Sequence, residues 1–438
     1  MIKQKFKQTE IGLIPEDWEV RKIGEFVDIK HGYAFKGEFF TDIPNGNILL
    51  TPGNFKIGGG FKKDKLKYTK EELPTDYVLK EDDILVTMTD LSKEGDTLGY
   101  SAKVPSATEE KYLHNQRIGL LKFKLKEISP NFIYWILRTK KYNFFIVGSA
   151  TGSTVKHTSP DRIKQFTFGM PKKVTEQCSI AKILSDLDSK IELNEQMNKT
   201  LEQIGQAIFK HWFIDFEFPN KQGKPYKSNG GEMVDSELGE IPKTWHTYKI
   251  RDCGKVVCGK TPPTHDKNNY GSDYPFITIP DMHNQVFVTS TERKLSKQGA
   301  DTQRKKELPS LTICVSCIAT PGIVVLTTEP SYTNQQINSV VCNSDISPYF
   351  IYLTMKLKSE EVKLMGLGGT ATLNLNTGDF ERIKIITPDK KCMETFHQNI
   401  KPVFDKILNT RREIMTLSEI RDSLLPKLMS GKIRVPKK

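Results

Sequence analysis

Apolar residues recur at alternating intervals of four and three positions in two long segments of the chain. The first series consists of Ile180, Leu184, Leu187, Ile191, Asn194, Asn198 and Leu201. The second series, shifted by 396 − 180 = 216 positions, consists of Phe396, Ile400, Val403, Ile407, Thr410, Ile414 and Leu417. This spacing is typical of a coiled-coil seam rather than of the wider apolar stripe of a helix on a globular core. The pattern predicts two long helices with seams of equal length and matching register.

One polar residue interrupts each seam at the same level. Asn194 in the first series aligns with Thr410 in the second. Polar seam residues cost stability and often specify register or orientation. Two separate amphipathic helices are the alternative, but equal length and register favour pairing of the two helices with each other. The first helix is expected over about residues 176–211 and is about 50 Å long at 1.5 Å per residue.

A second repetition lies upstream of each helix. Residues 11–18, Ile-Gly-Leu-Ile-Pro-Glu-Asp-Trp, return as residues 238–245, Leu-Gly-Glu-Ile-Pro-Lys-Thr-Trp, at an offset of 245 − 18 = 227. Residues 129–137 are predicted to begin a helix. Residues 347–353 repeat this segment at an offset of 347 − 129 = 218. The middle of the repeat therefore varies while its ends stay matched. A repeat this long is a duplicated domain, since solenoid units span roughly 20–50 residues.

Short β and turn signals fill the middle of each copy, with strands predicted at residues 84–86 and 118–121. The predicted fold class is α+β. It comprises two globular domains of mixed β structure with short helices, two long paired helices and an internal pseudo-two-fold repeat. We expect a first globular domain at 1–174, a first helix at 175–218 and a linker at 219–237. A second globular domain is expected at 238–391, and a second helix with a basic tail at 392–438.

The net charge of the chain is +12, from 65 Lys and Arg against 53 Asp and Glu. The excess is local, because residues 101–173 carry 14 basic and 4 acidic side chains while residues 1–100 carry 15 and 18. A local basic excess suits a polyanion such as DNA, because neutralised phosphates release counterions. A solvated charged face explains the charge equally well.

Seven scattered cysteines and a polar N-terminal segment are typical of a protein of the reducing cytoplasm. The longest apolar stretch, residues 313–326, is interrupted by Pro321 and Gly322 and is too short to span a bilayer. We therefore expect a cytoplasmic protein that does not enter a membrane.

Two motifs could carry catalysis or a metal. Asp281, Glu292 and Lys294 match the loose pattern of Mg²⁺-dependent nucleases, in which two carboxylates hold the ion. The pattern arises often by chance, and the first copy has no carboxylate at Pro52-Gly53. Cys314-x-x-Cys317 is half a zinc site in an apolar run, where buried thiols are common. The sequence predicts no catalytic and no metal-binding residue, and the nuclease stays the alternative.

Side chains that read base edges are chiefly Arg, Lys, Asn and Gln, because they form bidentate pairs in the major groove. Asn-Gln pairs precede a strand in both copies, at 115–116 and 334–335, which also favours a purely structural turn. Residues that read different sequences should differ between the copies. The predicted DNA-contacting residues are Asn115, Gln116, Arg117, Lys156 and His157 in the first copy, and Lys260, Asn284, Gln285, Arg304, Lys305 and Lys306 in the second.

The ordered set of motifs resembles the specificity subunit of Type I restriction–modification systems, over essentially the whole chain. The segments that carry the resemblance are the doubled 11–18 and 238–245, Gly259-Lys260-Thr261-Pro262, Glu176-Gln177, the runs 190–198 and 209–213, and the segment 421–431. The start of the second helix departs from the pattern, because Cys392-Met393-Glu394-Thr395 lacks the Glu-Gln pair.

The resemblance implies a non-catalytic reader of double-stranded DNA. Each globular domain would be a target-recognition domain for one half of a split site, and the helices would form an antiparallel coiled coil that sets the gap. Two adenine methyltransferase subunits and a restriction and translocase subunit are the implied partners. No cofactor is expected on this chain, whereas S-adenosylmethionine, ATP and Mg²⁺ are implied in the partner subunits. A coiled-coil adaptor that does not bind DNA is a further alternative.

Overall fold

The computed structural model describes residues 5–64, 66–71, 75–90, 92, 94–107, 109–125, 127–152, 155–366 and 374–435. The end of the predicted basic tail, Pro436, Lys437 and Lys438, lies outside the described residues. The chain divides into two compact units, one of Met1–Lys190 with Thr416–Lys438 and one of Ile191–Met415. The unit boundaries thus pass through the long helices rather than at their ends.

The globular part of the first unit mixes strands and short helices. Its strands are β1 (Phe6–Thr9), β2 (Gly12–Pro15), β3 (Trp18–Lys22), β4 (Val27–His31), β5 (Phe40–Thr41), β6 (Asn47–Leu50), β7 (Lys67–Thr69), β8 (Ile84–Thr87), β9 (Thr89–Asp90), β10 (Ser101–Lys103), β11 (Lys111–His114), β12 (Ile118–Phe123), β13 (Lys156–His157) and β14 (Thr167–Pro171). Its helices are α1 (Ile23–Phe26), α2 (Pro130–Ile136), α3 (Lys140–Gly148) and α4 (Pro160–Lys164), and the long helix α5 (Val174–Phe213) follows.

Two four-stranded sheets lie in this part, beside the two-stranded pairs β1–β2, β3–β14 and β9–β13. One has the order β10-β8-β12-β4 and is antiparallel throughout. The other has the order β11-β6-β7-β5, with β11 and β6 parallel. The predicted strands at 84–86 and 118–121 are β8 and β12, and the predicted helix opening at 129–137 is α2. Helix α2 begins with Pro130, whose fixed φ suits the first turn, and five of its seven residues are buried.

The second unit repeats this plan. Its strands are β15 (Met233–Ser236), β16 (Gly239–Pro242), β17 (His246–Lys249), β18 (Gly254–Cys258), β19 (Tyr270–Ile277), β20 (Phe287–Val288), β21 (Arg293–Leu295), β22 (Ile313–Ser316), β23 (Val324–Thr327), β24 (Tyr332–Thr333), β25 (Ile337–Cys342) and β26 (Lys384–Thr387). Its helices are α6 (Ile250–Cys253), α7 (Lys297–Asp301), α8 (Pro348–Leu357), α9 (Ser359–Gly366) and α10 (Thr377–Glu381), followed by the long helix α11 (Lys390–Met429).

The strand order shows the duplication directly. In the second unit the main sheet runs β18-β25-β22-β23-β20, and its first four strands match β4-β12-β8-β10 of the first unit. The doubled segments 11–18 and 238–245 contain the second strands of two hairpins, β1–β2 and β15–β16. These hairpins turn at Gly12 (φ 104°) and Gly239 (φ 97°). Glycine suits both turns because its φ can be positive without a steric penalty. The predicted duplicated α+β domain is confirmed.

Helices α5 and α11 pack against each other within each unit. In the first unit, Ile180 and Leu184 near the start of α5 share a hydrophobic cluster with Leu428 at the end of α11. In the second unit the ring of Phe213, at the end of α5, lies 4.8 Å from the ring of Phe396 near the start of α11. The helices therefore run antiparallel, as expected. Within the described residues, every helix is too short or too polar to be a membrane span.

The predicted seam positions face inward. Buried members are Ile180, Leu184, Ile191, Asn194, Phe396, Ile400, Ile407, Thr410 and Ile414, and half-buried members are Leu187, Asn198, Leu201, Val403 and Leu417. Asn194 and Thr410 are each the 21st of 40 helical residues (194 − 173 = 21; 410 − 389 = 21). The polar side-chain atoms of both have no hydrogen-bond partner in the described part of the chain. This polar level costs stability, since buried polar groups without partners are unfavourable.

In the first unit, one carboxylate joins the globular part to both long helices. Asp188 of α5 pairs with Arg138, which follows α2, and with Arg421 of α11, whose Nη1 lies 2.6 Å from Asp188 Oδ1. The Arg138 side chain is only 4% exposed. Burial acts to raise the pKa of Asp188, but the charges and hydrogen bonds of the two arginines outweigh it, so the pKa lies below its usual range. Asp188 is therefore ionised at neutral pH.

The equivalent place in the second unit is aromatic. Phe404 is the counterpart of Asp188 (404 − 188 = 216), and its ring stacks on that of Tyr349 at a centroid distance of 4.5 Å. Gly205 is the counterpart of Arg421 (421 − 205 = 216), and a β-carbon there would already lie 3.6 Å from Phe404 Cε2. The two units thus attach to the helices through different chemistry, ionic in the first and aromatic in the second.

Replacing Asp188 with alanine leaves Arg138 buried without a counter-ion. We expect the first unit to lose roughly 3–5 kcal/mol of unfolding free energy, because an unpaired buried charge is strongly unfavourable. Hydrogen exchange of the α2 amides under native conditions measures the loss.

The matched control is Asp186→Ala on the same helix, where the exposed carboxylate pairs with the exposed Lys182 at 2.7 Å, and little change is expected. Because the folded-state pKa of Asp188 is lowered, its stabilisation is present at neutral pH and declines as the pH falls below about 4, through the folded-state pKa. Equal protection of α2 in both variants would contradict the role given to Asp188.

Candidate nucleic-acid interface

In the first unit, three segments far apart in sequence meet beside β8. Met88, directly after β8, donates its N–H to the carbonyl of Arg117 at 3.0 Å and accepts the N–H of Thr158 at 3.0 Å. One residue further on, β9 pairs with β13 and sets Thr89 opposite His157. Two groups of predicted DNA-contacting residues, 115–117 and 156–157, therefore lie on either side of one strand segment.

The second unit builds the same arrangement of main-chain bonds. Cys317, directly after β22, donates its N–H to the carbonyl of Gln336 at 2.8 Å and accepts the N–H of Leu375 at 2.9 Å. Ile318 forms a bridge with Asn374, as Thr89 does with His157. We call this set of main-chain bonds, around Met88 in the first unit and Cys317 in the second, the frame.

A glycine packs against the turn beside each frame. Gly32 and Gly259 are repeat counterparts (259 − 32 = 227). A β-carbon would lie 2.1 Å from the Asn115 carbonyl oxygen at Gly32 and 2.2 Å from the Asn334 carbonyl oxygen at Gly259. Only glycine permits such close approach of two backbones. The repeat of this glycine is thus a requirement of the frame.

The Asn-Gln pairs form the same turn in both frames. Asn115 Oδ1 accepts the N–H of Arg117 at 3.0 Å, and Asn334 Oδ1 accepts the N–H of Gln336 at 3.1 Å. Both asparagines are less than a tenth exposed. Asn115 therefore has a structural role, which is the explanation that its presence in both copies favours. Gln116 and Arg117 of the same group are exposed.

The side chains carried by the frames differ between the units. The position after the turn holds Arg117 in the first unit and Gln336 in the second. The position facing the strand end holds His157 in the first unit and Asn374 in the second, and both are exposed. Thr89 Oγ1 lies 3.2 Å from His157 Nδ1 and orients that ring. Equal backbones therefore present unequal polar groups.

A buried carboxylate organises the turn after β9. Asp90 is 5% exposed and accepts the N–H of Ser92 at 2.7 Å together with the N–H and hydroxyl of Thr97 at 2.5 and 2.8 Å. Burial acts to raise the pKa of Asp90, but these hydrogen bonds outweigh it and lower the pKa. The negative charge is thus held inside the turn rather than presented at the surface.

The remaining predicted DNA-contacting residues lie at separate places in the two units. Lys156 lies in β13 opposite Asp90, and Lys260 donates its N–H to the Thr333 carbonyl at 2.9 Å, next to the second frame. Three others, Arg304, Lys305 and Lys306, form one helical turn after α7, and Arg304 pairs with Asp301.

Asn284 and Gln285 lie in a separate segment of the second unit, beside α11. Asn284 is exposed with a φ of 57°. Gln285 accepts a hydrogen bond from Arg411 of α11 at 3.2 Å and donates to the Asp281 carbonyl. The Gln285 amide is therefore engaged within the protein.

The residues of the nuclease alternative are held in a structural cap. Asp281 accepts the N–H and hydroxyl of Thr278 at 2.8 and 2.7 Å, and the N–H of Glu292 at 2.8 Å. Its counterpart in the first unit is Asn54 (281 − 54 = 227), which caps Thr51 in the same way without a charge. The described residues contain no cluster of three His, Cys, Asp or Glu side chains suited to a metal. The nuclease alternative is not favoured.

The cysteines of Cys314-x-x-Cys317 are core residues. Burial raises the pKa of Cys314 to about 12 and that of Cys317 to about 11. Protonated thiols are poor metal ligands, because the thiolate is the binding form. Both residues are therefore explained as buried structural thiols rather than as metal ligands.

Asn374 was not among the residues predicted from the sequence. It stands two residues before Asn376, the N-cap of α10, just as His157 stands two residues before Ser159, the N-cap of α4. Alignment of the two helix caps is the signal that relates His157 to Asn374. The offset there is 217 rather than 227, so the doubled segments do not reveal it (374 − 157 = 217).

The family described as a Type I restriction modification DNA specificity domain matches residues 15–203 and 242–416. The chain is 36% identical to the Type I restriction enzyme HindI specificity subunit of Haemophilus influenzae, over 74% of this chain and 82% of that protein. It is 28% identical to the MjaIX specificity subunit of Methanocaldococcus jannaschii, over 98% and 96%. The crystal structure of a Type I S subunit from M. genitalium shares the fold, with a TM-score of 0.59, 15% identity and 99% of each chain covered.

The cap formed by Asp281 makes the nuclease alternative testable. We expect Glu292→Ala to leave every DNA-directed activity of the assembled complex unchanged, because Glu292 takes part in the cap through its backbone N–H, which alanine retains. Asp281→Asn should cost roughly 1–3 kcal/mol of stability, because the amide keeps one acceptor for Thr278 but turns an NH₂ donor toward the N–H of Glu292. Incubation of the purified chain with Mg²⁺ and DNA is the check, and cleavage abolished by Glu292→Ala would reinstate the nuclease.

Proposed function

The chain belongs to the family of Type I restriction–modification DNA specificity subunits, and we propose that its two frames are the places where it reads a bipartite DNA sequence. The observation that carries the proposal is the pair of equal backbones with unequal side chains. A protein that binds one ligand twice would present the same groups at both positions. A protein that reads two different half-sites needs different groups on one geometry.

The polar side chains at the frames suit base edges; Gln336 is half-buried, and the other three are exposed. Arginine, glutamine and asparagine form two parallel hydrogen bonds with single bases in the major groove. Arg117 supplies such a group in the first unit, beside the imidazole of His157, and Gln336 and Asn374 supply such groups in the second. The basic excess of residues 101–173 supplies phosphate contacts, which position a protein on DNA without reading sequence.

We propose that the chain itself is not catalytic. Asp281 caps the turn at Thr278, and the thiols of Cys314 and Cys317 are buried and protonated. These candidate reactive groups therefore have structural roles. Methyl transfer to adenine, restriction and translocation would then belong to partner subunits. S-adenosylmethionine, ATP and Mg²⁺ would be bound there, and the complex would act in the cytoplasm, where the DNA is.

Two methyltransferase subunits are the partners that fit the repeat best. Each unit offers the same hairpin, the same sheet order and a portion of both long helices. Matched architecture on both units is what two copies of one partner require, because each copy presents one docking surface. A restriction and translocase subunit would join this assembly.

The direct experiment is selection of binding sites from a library of randomised duplex DNA, using the chain assembled with its methyltransferase. We expect an enriched sequence with two specified halves separated by an unspecified spacer. Affinity should fall steeply with added salt, because phosphate contacts release counterions. Enrichment of no sequence would refute the proposal and favour the adaptor that does not bind DNA.

A second prediction concerns the spacer. Inserting seven residues into α5 after Lys190 and seven into α11 after Met415 preserves the heptad register of both helices. Each insert adds about 10 Å of helix, which corresponds to about three base pairs. We expect the spacer to lengthen by about that number while both halves stay the same.

Methylome sequencing of cells that carry the insertion variant is the measurement. The control is a variant with the same insert in α5 only, which offsets the seams and should abolish assembly. A changed half-site with an unchanged spacer would show that the helices do not set the distance.

A further inference from the structure

We propose that the first unit reads a guanine with Arg117, beside which His157 donates within the same half-site, whereas the second unit reads an adenine at the equivalent place with Gln336, beside which Asn374 supplies a further amide. This inference rests on the proposed reading of DNA by the frames. It adds which base each frame selects, which follows from the chemistry of the side chains that differ.

The two positions are equivalent by their main-chain bonds, not by sequence offset alone. The carbonyls of Arg117 and Gln336 accept N–H groups at 3.0 and 2.8 Å from Met88 and Cys317 respectively. His157 and Asn374 lie opposite the next residue of each strand segment. A difference in what the frames read must therefore come from the side chains.

The first frame presents donors. The Arg117 guanidinium has donors only, and it is always protonated. When the Thr89 hydroxyl donates to His157 Nδ1, the proton of the ring resides on Nε2, the other nitrogen of this exposed side chain. The carboxylate of this frame, Asp90, is occupied by Ser92 and Thr97 and does not compete for these donors.

Guanine is the base whose major-groove edge offers two acceptors, N7 and O6, and arginine pairs with both at once. An adenine edge offers one acceptor and one donor, and its N6 amino group would face a donor of Arg117. The first frame is therefore complementary to guanine and unfavourable for adenine.

The second frame presents amides. Gln336 and Asn374 each carry an oxygen acceptor and an NH₂ donor, the pair that adenine N6 and N7 require. The Gln336 oxygen already accepts a hydrogen bond from Asn334 Nδ2 at 3.0 Å, and this contact fixes the side chain while a second lone pair remains. The same two positions that carry donors in the first unit thus carry donor–acceptor groups in the second.

The two groups of the first frame lie within reach of one half-site. Arg117 and Thr158 flank Met88 on both sides, so their backbones are about 10 Å apart at two strand spacings. Base pairs repeat every 3.4 Å along the duplex, and arginine is a long side chain. A distance of about 10 Å spans about three base pairs, so Arg117 and His157 act on one half-site rather than on both halves.

The test is site selection from randomised duplex DNA by the full chain in complex with its methyltransferase, comparing wild type with Arg117→Gln. We expect one guanine in one half-site to become adenine or unspecified, and the other half-site to stay the same. Discrimination at that position should fall roughly 5- to 150-fold, the range for one bidentate pair. The reciprocal variant Gln336→Arg should change an adenine to guanine in the other half-site only.

An atom-level probe isolates the contact. Replacing the selected guanine with 7-deazaguanine removes N7, and we expect weaker binding by wild type but no further loss by Arg117→Gln. Lys182→Gln, an exposed basic residue of α5 that pairs with Asp186, is the matched control and should leave the selected sequence unchanged.

The outcomes separate the two proposals. Identical selected sequences for wild type and Arg117→Gln overturn the assignment of guanine to this frame. Uniform weakening for all sequences, with a shallower dependence on salt, means that Arg117 contacts phosphate and also overturns it. Failure of the wild-type complex to select any sequence overturns the reading function itself.

Discussion

Pairing of α5 with α11 is the interaction on which the rest of the protein depends. The first compact unit is not continuous in sequence, because it combines the start of α5 with the end of α11, whereas the second is the single segment Ile191–Met415. Each globular part completes its core on this helix pair, through Leu428 in the first unit and Phe396 in the second. In each unit, the helix pair therefore supports the globular part that contains the frame.

The seam explains why the sequence is informative about architecture. A 4,3 spacing is a local property of one helix, so Ile180 through Leu201 could be recognised without knowing what they face. The same holds for the turn glycines of the doubled segments. Strands β8 and β12 were also predictable, because each is a short apolar run bounded by turn signals.

Contacts between distant residues were not predictable in this way. Asp188 lies off the seam series, and its partners are 50 and 233 residues away in sequence, so no local pattern marks it. The frame is similar, since Met88 bonds Arg117 and Thr158 through main-chain atoms that carry no sequence signal. Residues such as Arg117 could be predicted by type, while Asn374 needed the structure, because its repeat offset differs from that of the doubled segments.

The frame has a consequence for how the protein evolves. Its bonds use backbone atoms, a buried asparagine and a glycine, so exposed positions such as 117 and 157 are not needed for folding. A lineage can therefore substitute these side chains and acquire a new target in one mutational step without losing a stable protein. The duplicated domain doubles that opportunity, because one copy keeps its half-site while the other acquires a new one.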